Sequence, residues 1–375
     1  MSRRYFLFSA PLLFPFLLTA AASTGVDTAH QRTARGHAKT LKHPIIAQHL
    51  DPRQVNDVRL RSLVGPRSFG AAVIRAEILL DRLKFSPGQI ESSYQLNLKR
   101  AITAFQKVHG LDATGTVNSK TWDLINSDQP ADETPPDSVD RHEASRASDI
   151  PDAIIRYTIT EDDVAGPFTK LAKAASSEEL LLKEADLPQL NYESPLEGLA
   201  EKFHVNPKLL TQLNPGKNFT TAGEEILAPN VLTPVPAKAA SVVVNGSDHS
   251  VTARDSEGKI LAFYPASVGS FHDPLPVGKW KILGKKFNPE FHYNPNLFWD
   301  SENKDVKATL PPGPKSPVGV VWISLSKEHY GIHGTPEPSA IGKTQSHGCI
   351  RLTNWDAEEL ANMVAPGTPA ILEEK

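Results

Sequence analysis

Apolar positions change rhythm along this chain. From Phe69 they recur three and four residues apart: the run 72–83 has helical spacing, and Leu98, Ile102, Phe105 and Val108 line one face of a second helix. His109-Gly110 ends that helix, the glycine being suited to a left-handed C-cap. Thr114-Gly115 turns the chain into a third short helix over 119–125, so that three helices around Phe105 and Trp122 form a small core within 67–127. The acidic, proline-bearing stretch 128–152 reads as a linker. An α+β unit over 153–232 follows. It has a strand at 157–160, a helix within 171–185, and a helix opened by Ser194 as N-cap with Pro195 at its first position and Glu197 completing a capping box. Asn206-Pro207 starts a further helix through Leu213, Asn214-Pro215-Gly216 turns, and 222–229 supplies a turn and a closing strand. Residues 233–239, with Pro234 and Pro236, are a second linker.

From Ala240 the period becomes two. Residues 241–244 and 249–254 read as a hairpin around a tight Asn245-Gly246 turn, with further strands at 259–264, 279–283, 318–325 and 370–372 and a helix at 355–363. The run 287–317 is rich in Pro, Asn and aromatic residues and has little periodicity. It is too long for a connector and reads as a functional loop or lid. The expected fold class is therefore multidomain: a small three-helix domain, an α+β module, and a mostly-β domain over 240–375.

Composition narrows the partners. The 375-residue chain carries a formal net charge of −3, which gives no reason to expect a nucleic-acid partner. Arg3 and Arg4, an apolar run over 7–18 and Ala20-Ala21-Ala22 read as a secretory signal peptide, 1–22, followed by a spacer at 23–66. The alternative is an uncleaved N-terminal anchor. No later segment is long and apolar enough to span, so after signal cleavage no stable membrane span is expected, and the protein is placed in the periplasm or cell wall.

Export changes the meaning of the one cysteine, Cys349, which cannot form an internal disulfide and is either an intermolecular bridge or a free, reactive thiol. It lies in Ser346-His347-Gly348-Cys349-Ile350-Arg351-Leu352, with His333-Gly334-Thr335 upstream. A thiol nucleophile needs a base and close backbone N–H donors for a developing oxyanion; Gly348 permits close approach, and the Gly348 and Cys349 N–H groups are the candidate donors. A neighbouring imidazole or other positive group would raise the thiolate fraction. His333 and His347 compete for the role of base; His347 is read as pointing away if its segment is extended, and is assigned to shaping the site. Arg351 either binds a substrate carboxylate or makes a structural ion pair. Ser346 and Tyr330 complete the substrate-binding set. The other chemical reading takes His329, His333, His347 and Cys349 as zinc ligands, but their spacing fits no compact zinc pattern, and no metal is assigned.

The stretch from Tyr330 to Asp356, with His-Gly-Thr, Ile-Gly and Ser-His-Gly-Cys-Ile-Arg-Leu-x-Asn-x-Asp, resembles the signature of the YkuD-type L,D-transpeptidases, as does Pro274-Leu275-Pro276-Val277-Gly278-Lys279-Trp280. The resemblance covers about Ala240 to the C-terminus. It implies Cys349 as nucleophile, His333 as general base and acid, and Gly334 as the residue whose carbonyl orients the imidazole, with no cofactor. It further implies release of terminal D-Ala from a peptidoglycan stem peptide, a 3–3 cross-link to a second stem, and acylation of the thiol by carbapenems. The same acyl-enzyme would serve an L,D-carboxypeptidase or attach a protein lysine to the wall, and a non-catalytic wall-binding scaffold is the alternative outside catalysis. Ala101, Phe105-Gln106, Gly110-Leu111, Asp112 to Thr116 and Thr121-Trp122 resemble the three-helix peptidoglycan-binding domain. Leu213-Asn214-Pro215-Gly216 and Ala222-Gly223-x-x-Ile226-x-x-Pro229 resemble a LysM module, interrupted by a long insertion before Tyr192. These imply glycan strands and stem peptides as partners. Oligomeric state is left open.

Overall fold

The computed structural model describes residues 50–130, 139–140, 151–170, 174, 176–299, 301 and 303–374. The expected signal peptide, most of the 23–66 spacer and most of the 128–152 linker lie outside the described residues. Helix α1 (Pro52–Asn56) is capped by Asp51, which accepts from Arg53 N at 3.0 Å. Helix α2 (Ala71–Arg82) starts after Gly70, and α3 (Leu96–Val108) ends at Gly110, whose φ of 66° is the left-handed conformation its position calls for. Helix α4 (Ser119–Ser127) is capped by Asn118, which accepts from Thr121 N at 3.0 Å. The Trp122 ring is fully buried and its indole N–H donates to Ser62 O at 2.8 Å, so the polar end is satisfied while the ring contributes about 1.5–3 kcal/mol of burial.

Strands β1 (Val139–Asp140), β2 (Ile154–Thr158) and β3 (Glu225–Pro229) form an antiparallel sheet in the order β1-β2-β3. Four helices lie between β2 and β3 among the described residues: α5 (Glu161–Val164), α6 (Ser177–Ala185), α7 (Pro195–Lys202) and α8 (Pro207–Leu213). The first strand is earlier than expected, because Thr160 leaves the strand to cap α5. Ser194 accepts from Glu197 N at 3.3 Å as expected for α7, but the Glu197 carboxylate accepts from Glu193 N at 2.6 Å, one residue before the cap, so the reciprocal half of the capping box is replaced. Ile74, Phe105 and Trp122 of the three-helix segment share one hydrophobic cluster with Tyr157, Phe203 and Ile226. Helical spacing locates buried faces but does not reveal that two segments bury them against each other.

The C-terminal half builds a second cluster on an eight-stranded sheet. Its strands are β4 (Ser241–Asn245), β5 (Ser250–Arg254), β6 (Ile260–Pro265), β7 (Gly278–Phe287), β10 (Val321–Leu325), β11 (Gly331–His333), β12 (Ile350–Arg351) and β13 (Pro369–Glu373), ordered β12-β11-β10-β7-β13-β4-β5-β6. Between β7 and β10 a hairpin of β8 (Phe291–Tyr293) and β9 (Ala308–Leu310) occupies the expected loop. The β4–β5 connection spans 246–249, with the left-handed residue at His249 (φ 50°), where a two-residue Asn-Gly turn was expected. Helix α9 (Asn354–Met363), capped by Thr353, buries Leu360, Ala361 and Met363 under the sheet. Ser267, just past β6, exchanges hydrogen bonds with Arg351 of β12 at 3.0 and 2.9 Å, so the two ends of the sheet curl toward each other.

The two clusters are docked by backbone as well as side chains. Lys84 O accepts from Phe263 N at 2.8 Å and Ser86 N donates to Phe263 O at 2.9 Å, which pairs the outer edge of β6 and removes an open edge. Leu190 exchanges hydrogen bonds with Pro312 and Lys315 at 3.0 Å, and α6 packs against β9. Asn97 donates to Ile341 O at 2.8 Å. No helix among the described residues is long and apolar enough to cross a membrane.

Candidate active site

Register places the candidate residues. Strands β11 and β12 pair in parallel with Ile332 opposite Ile350 and His333 opposite Arg351. Side chains alternate across a strand, and both isoleucines are fully buried in the core, so His333 and Arg351 face the other side. Two residues earlier, Gly331 and Cys349 fall on the side of His333, and the Gly331 N–H bonds to the Cys349 sulfur. The thiol points at His329 O, 3.7 Å away. His333 Nδ1 lies 2.7 Å from Gly334 O. A carbonyl only accepts, so Nδ1 carries the proton and Nε2 presents its lone pair. On the other flank Trp322, opposite His333 in β10, stacks on the imidazole with centroids 5.3 Å apart and 16° between planes. A Cβ at Gly331 would sit 2.6 Å from this indole, so the ring occupies the space a side chain there would take.

Burial disfavours the charged form of both titrating groups. Burial pushes the His333 imidazolium down to about 4, helped by Arg351 and opposed by the Gly334 carbonyl. Burial pushes the Cys349 thiol above its ordinary value, and the Gly331 N–H and the Arg351 guanidinium pull it back only in part. The positive neighbour that the sequence called for is therefore present as Arg351, yet desolvation outweighs it. Arg351 donates to the Gln345 carbonyl and, among the described residues, pairs with no carboxylate.

The bend before β12 orients the rest. Gly348 has φ 96°, and a Cβ there would stand 2.8 Å from the Tyr330 ring, so conformation and space both require glycine. The alternation argument for His347 does not hold, since positions two apart share a face in an extended strand. It is the Gly348 bend that turns His347 toward Phe298 and Trp299, at ring distances of 5.1 and 6.2 Å. Those two residues come from the β8–β9 excursion, and Trp299 also stacks on His272 at 4.1 Å. Ser346 is buried and donates to Cys349 O at 2.5 Å, which braces the bend from within. Neither the Gly348 nor the Cys349 N–H donates to a backbone carbonyl of the described residues. His329, His333, His347 and Cys349 do not converge into a group that could hold a metal among the described residues.

Asn354, the first residue of α9, was quoted in the sequence signature but given no role. Its Oδ1 accepts from Thr335 N at 3.1 Å and Val320 N at 3.2 Å, and a Cβ at Gly334 or Gly319 would come within 2.1 or 1.9 Å of that oxygen. Gly334 is thus glycine because Asn354 lies against it; the carbonyl that meets His333 would be present with any residue. Trp322 was likewise missed, and its only signal was its place in an apolar strand.

Residues 239–372 match the L,D-transpeptidase catalytic domain, and residues 69–125 match the family described as "Putative peptidoglycan binding domain". The "Putative L,D-transpeptidase YkuD" of Bacillus licheniformis is 36% identical over 177 residues, covering 46% of this chain and 90% of that protein. Its namesake in Bacillus subtilis is 31% identical over 181 residues, covering 48% and 94%. The "Probable L,D-transpeptidase YbiS" of Escherichia coli is 26% identical over 180 residues, covering 46% and 58%. With the two Bacillus relatives spanned over nearly their whole length, the chain belongs to the YkuD family of L,D-transpeptidases.

Proposed function

We propose that this protein cross-links peptidoglycan through a Cys349 acyl-enzyme. The thiol proton passes to His333 Nε2 as sulfur attacks the carbonyl between the third stem residue and the terminal D-Ala. The Gly348 and Cys349 N–H groups receive the oxyanion, and the imidazolium returns its proton to the departing D-Ala. The amine of a second stem then attacks the thioester, gives a proton back through Nε2, and leaves a 3–3 amide and the free thiol. What carries this reading is the His333–Gly334 hydrogen bond, which leaves Nε2 unprotonated on a residue that shares its face of the sheet with Cys349. Arg351, without a carboxylate partner among the described residues, is the candidate for a substrate carboxylate. His347 and Tyr330 flank the thiol and shape the substrate channel, with Ser346 supporting the bend.

Export to the periplasm or wall, a glycan-binding, LysM-like role for 153–232, and the division at 67–127, 153–232 and 240–375 belong to the same proposal. The peptidoglycan-binding match over 69–125 and the Leu-Asn-Pro-Gly turn support it. Incubating the full chain with tetrapeptide sacculi and analysing muropeptides by mass spectrometry tests it. The expected products are 3–3 linked dimers and free D-Ala. Tripeptides without dimers would make water the acceptor, and no D-Ala release would overturn the acyl-enzyme reading.

A further inference from the structure

The turn that holds the catalytic imidazole is braced from outside the catalytic domain. Asn354 uses its Oδ1 on the backbone beside His333, which leaves its amide nitrogen pointing away from the site. That nitrogen donates to Glu201 Oε1 at 2.6 Å and to Pro314 O at 3.2 Å. Glu201 stands on α7 of the N-terminal half, and Tyr192 hydrogen-bonds the same carboxylate. An unbroken path therefore runs from Tyr192 and Glu201 through the Asn354 amide to Thr335 N, and across Gly334 to His333 Nδ1.

An amide side chain has two ends with opposite demands. If its donor end loses the Glu201 acceptor, the Pro314 carbonyl at 3.2 Å is the one partner left on that side among the described residues to hold the plane of Asn354, and the charge-assisted bond is gone. The Thr335 and Val320 N–H groups would then lose their alignment. Gly334, with no side chain of its own, cannot hold the turn by packing. Imidazole placement tolerates little error, since a shift of about 1 Å can cost on the order of 100-fold in rate.

We propose that Glu201 is a positioning residue for transpeptidation: by accepting from Asn354 it holds the Gly334–Thr335 turn, and through it the His333 base, in register with Cys349. This rests on the Cys349–His333 reading above. Burial pushes the Glu201 carboxyl up to about 7 against the pull of the Asn354 amide, and in either protonation state an oxygen remains to accept. The N-terminal half thus completes the site in addition to any wall contact it makes.

The test uses the full chain and measures kcat and KM for D-Ala release from a disaccharide tetrapeptide. It compares wild type, Glu201→Ala, Glu201→Gln, His333→Ala and Lys84→Met. Lys84 pairs with Glu359 between the same two halves but touches nothing on the path. Glu201→Ala should lower kcat on the order of tenfold with KM little changed. Its His333 Nδ1 proton, followed in ¹⁵N-histidine-labelled protein, should exchange faster. Glu201→Gln, which keeps an acceptor oxygen, should recover most of the rate, and Lys84→Met should match wild type. Thermal melts check that each variant is folded. A wild-type kcat in Glu201→Ala beside an inactive His333→Ala overturns this inference alone. An equal loss in Lys84→Met, or no recovery in Glu201→Gln, would assign the effect to docking or to charge and also overturn it. A fully active His333→Ala would remove the base assignment and this inference together.

Discussion

A neutral resting pair makes a prediction that a thiolate–imidazolium pair does not. The perturbation is pH, and the reporter is alkylation of Cys349 by iodoacetamide, which is clean because the chain has one cysteine. Burial holds the thiol above its ordinary value, so at pH 7 the thiolate is a small minority of the enzyme. The imidazole cannot compensate by taking the proton at rest, because burial has lowered its own value to about 4. Alkylation should therefore be slow at pH 5–7 and rise about tenfold per pH unit through pH 8, with no plateau at neutral pH. Intact-protein mass spectrometry gives the rate at each pH, and cysteine in a short unfolded peptide gives the reference. The folded enzyme should react more slowly than the peptide throughout the neutral range. A fast plateau between pH 5 and 8 would mean that the proton already sits on His333, and would refute the reasoning from burial.

Cys349→Ala should abolish D-Ala release and keep a cooperative melt, and residual turnover in that variant would move the nucleophile elsewhere. Incubation with a carbapenem should add one inhibitor mass to wild type and none to Cys349→Ala. Gly348→Ala must adopt a φ of 96° and meet the Tyr330 ring at 2.8 Å, so about 1–3 kcal/mol of stability should go, along with most acylation; an unchanged urea midpoint would contradict the close approach. His333 also affects acid stability. Between its ordinary 6.5 and about 4 the unfolded chain binds a proton that the folded chain refuses, so stability falls as pH drops through that window, by up to roughly 3 kcal/mol. The urea midpoint of wild type should therefore fall more than that of His333→Gln between pH 7 and pH 4.5.

The β domain was readable where period-two alternation and the motif coincide. Strands β4, β5, β6 and β13 bury alternating or continuous valines and alanines with Phe263, Tyr264 and Leu372, and the run from His333 to Leu352 keeps its chemistry in a short span. What escaped was whatever depends on residues distant in sequence. Trp322 and Asn354 look like ordinary strand and helix residues until β10 pairs with β11 and α9 begins beneath Gly334. The upward shift of the thiol also escaped, because desolvation is a property of the surroundings and no residue pattern reports it. The hairpin inside 287–317 was hidden by its short strands, three residues each, which are too brief to show a period.

The insertion that interrupts the LysM-like pattern before Tyr192 takes on a meaning once the halves are assembled. Read alone, residues 159–191 weaken the resemblance, because they separate the first strand from its helix. In the fold they carry α6, which packs on β9, and Leu190, whose backbone pairs with Pro312 and Lys315. A Cβ on Gly313 would lie 2.1 Å from Leu190 O, so the catalytic domain keeps a glycine where the insertion crosses it. The insertion is thus the strap that brings Tyr192 and α7 against α9, and Glu201 meets Asn354 at the end of that strap. Lys315 and Glu197 close the same seam at 2.8 Å, where both side chains are mostly buried. A pair so placed resists separation more than an exposed pair of the same geometry, because removing either partner leaves a desolvated charge. The seam therefore ties the imidazole's turn to the N-terminal half by an ion pair, backbone hydrogen bonds and packed apolar surface, with Glu201 as the part that reaches the site.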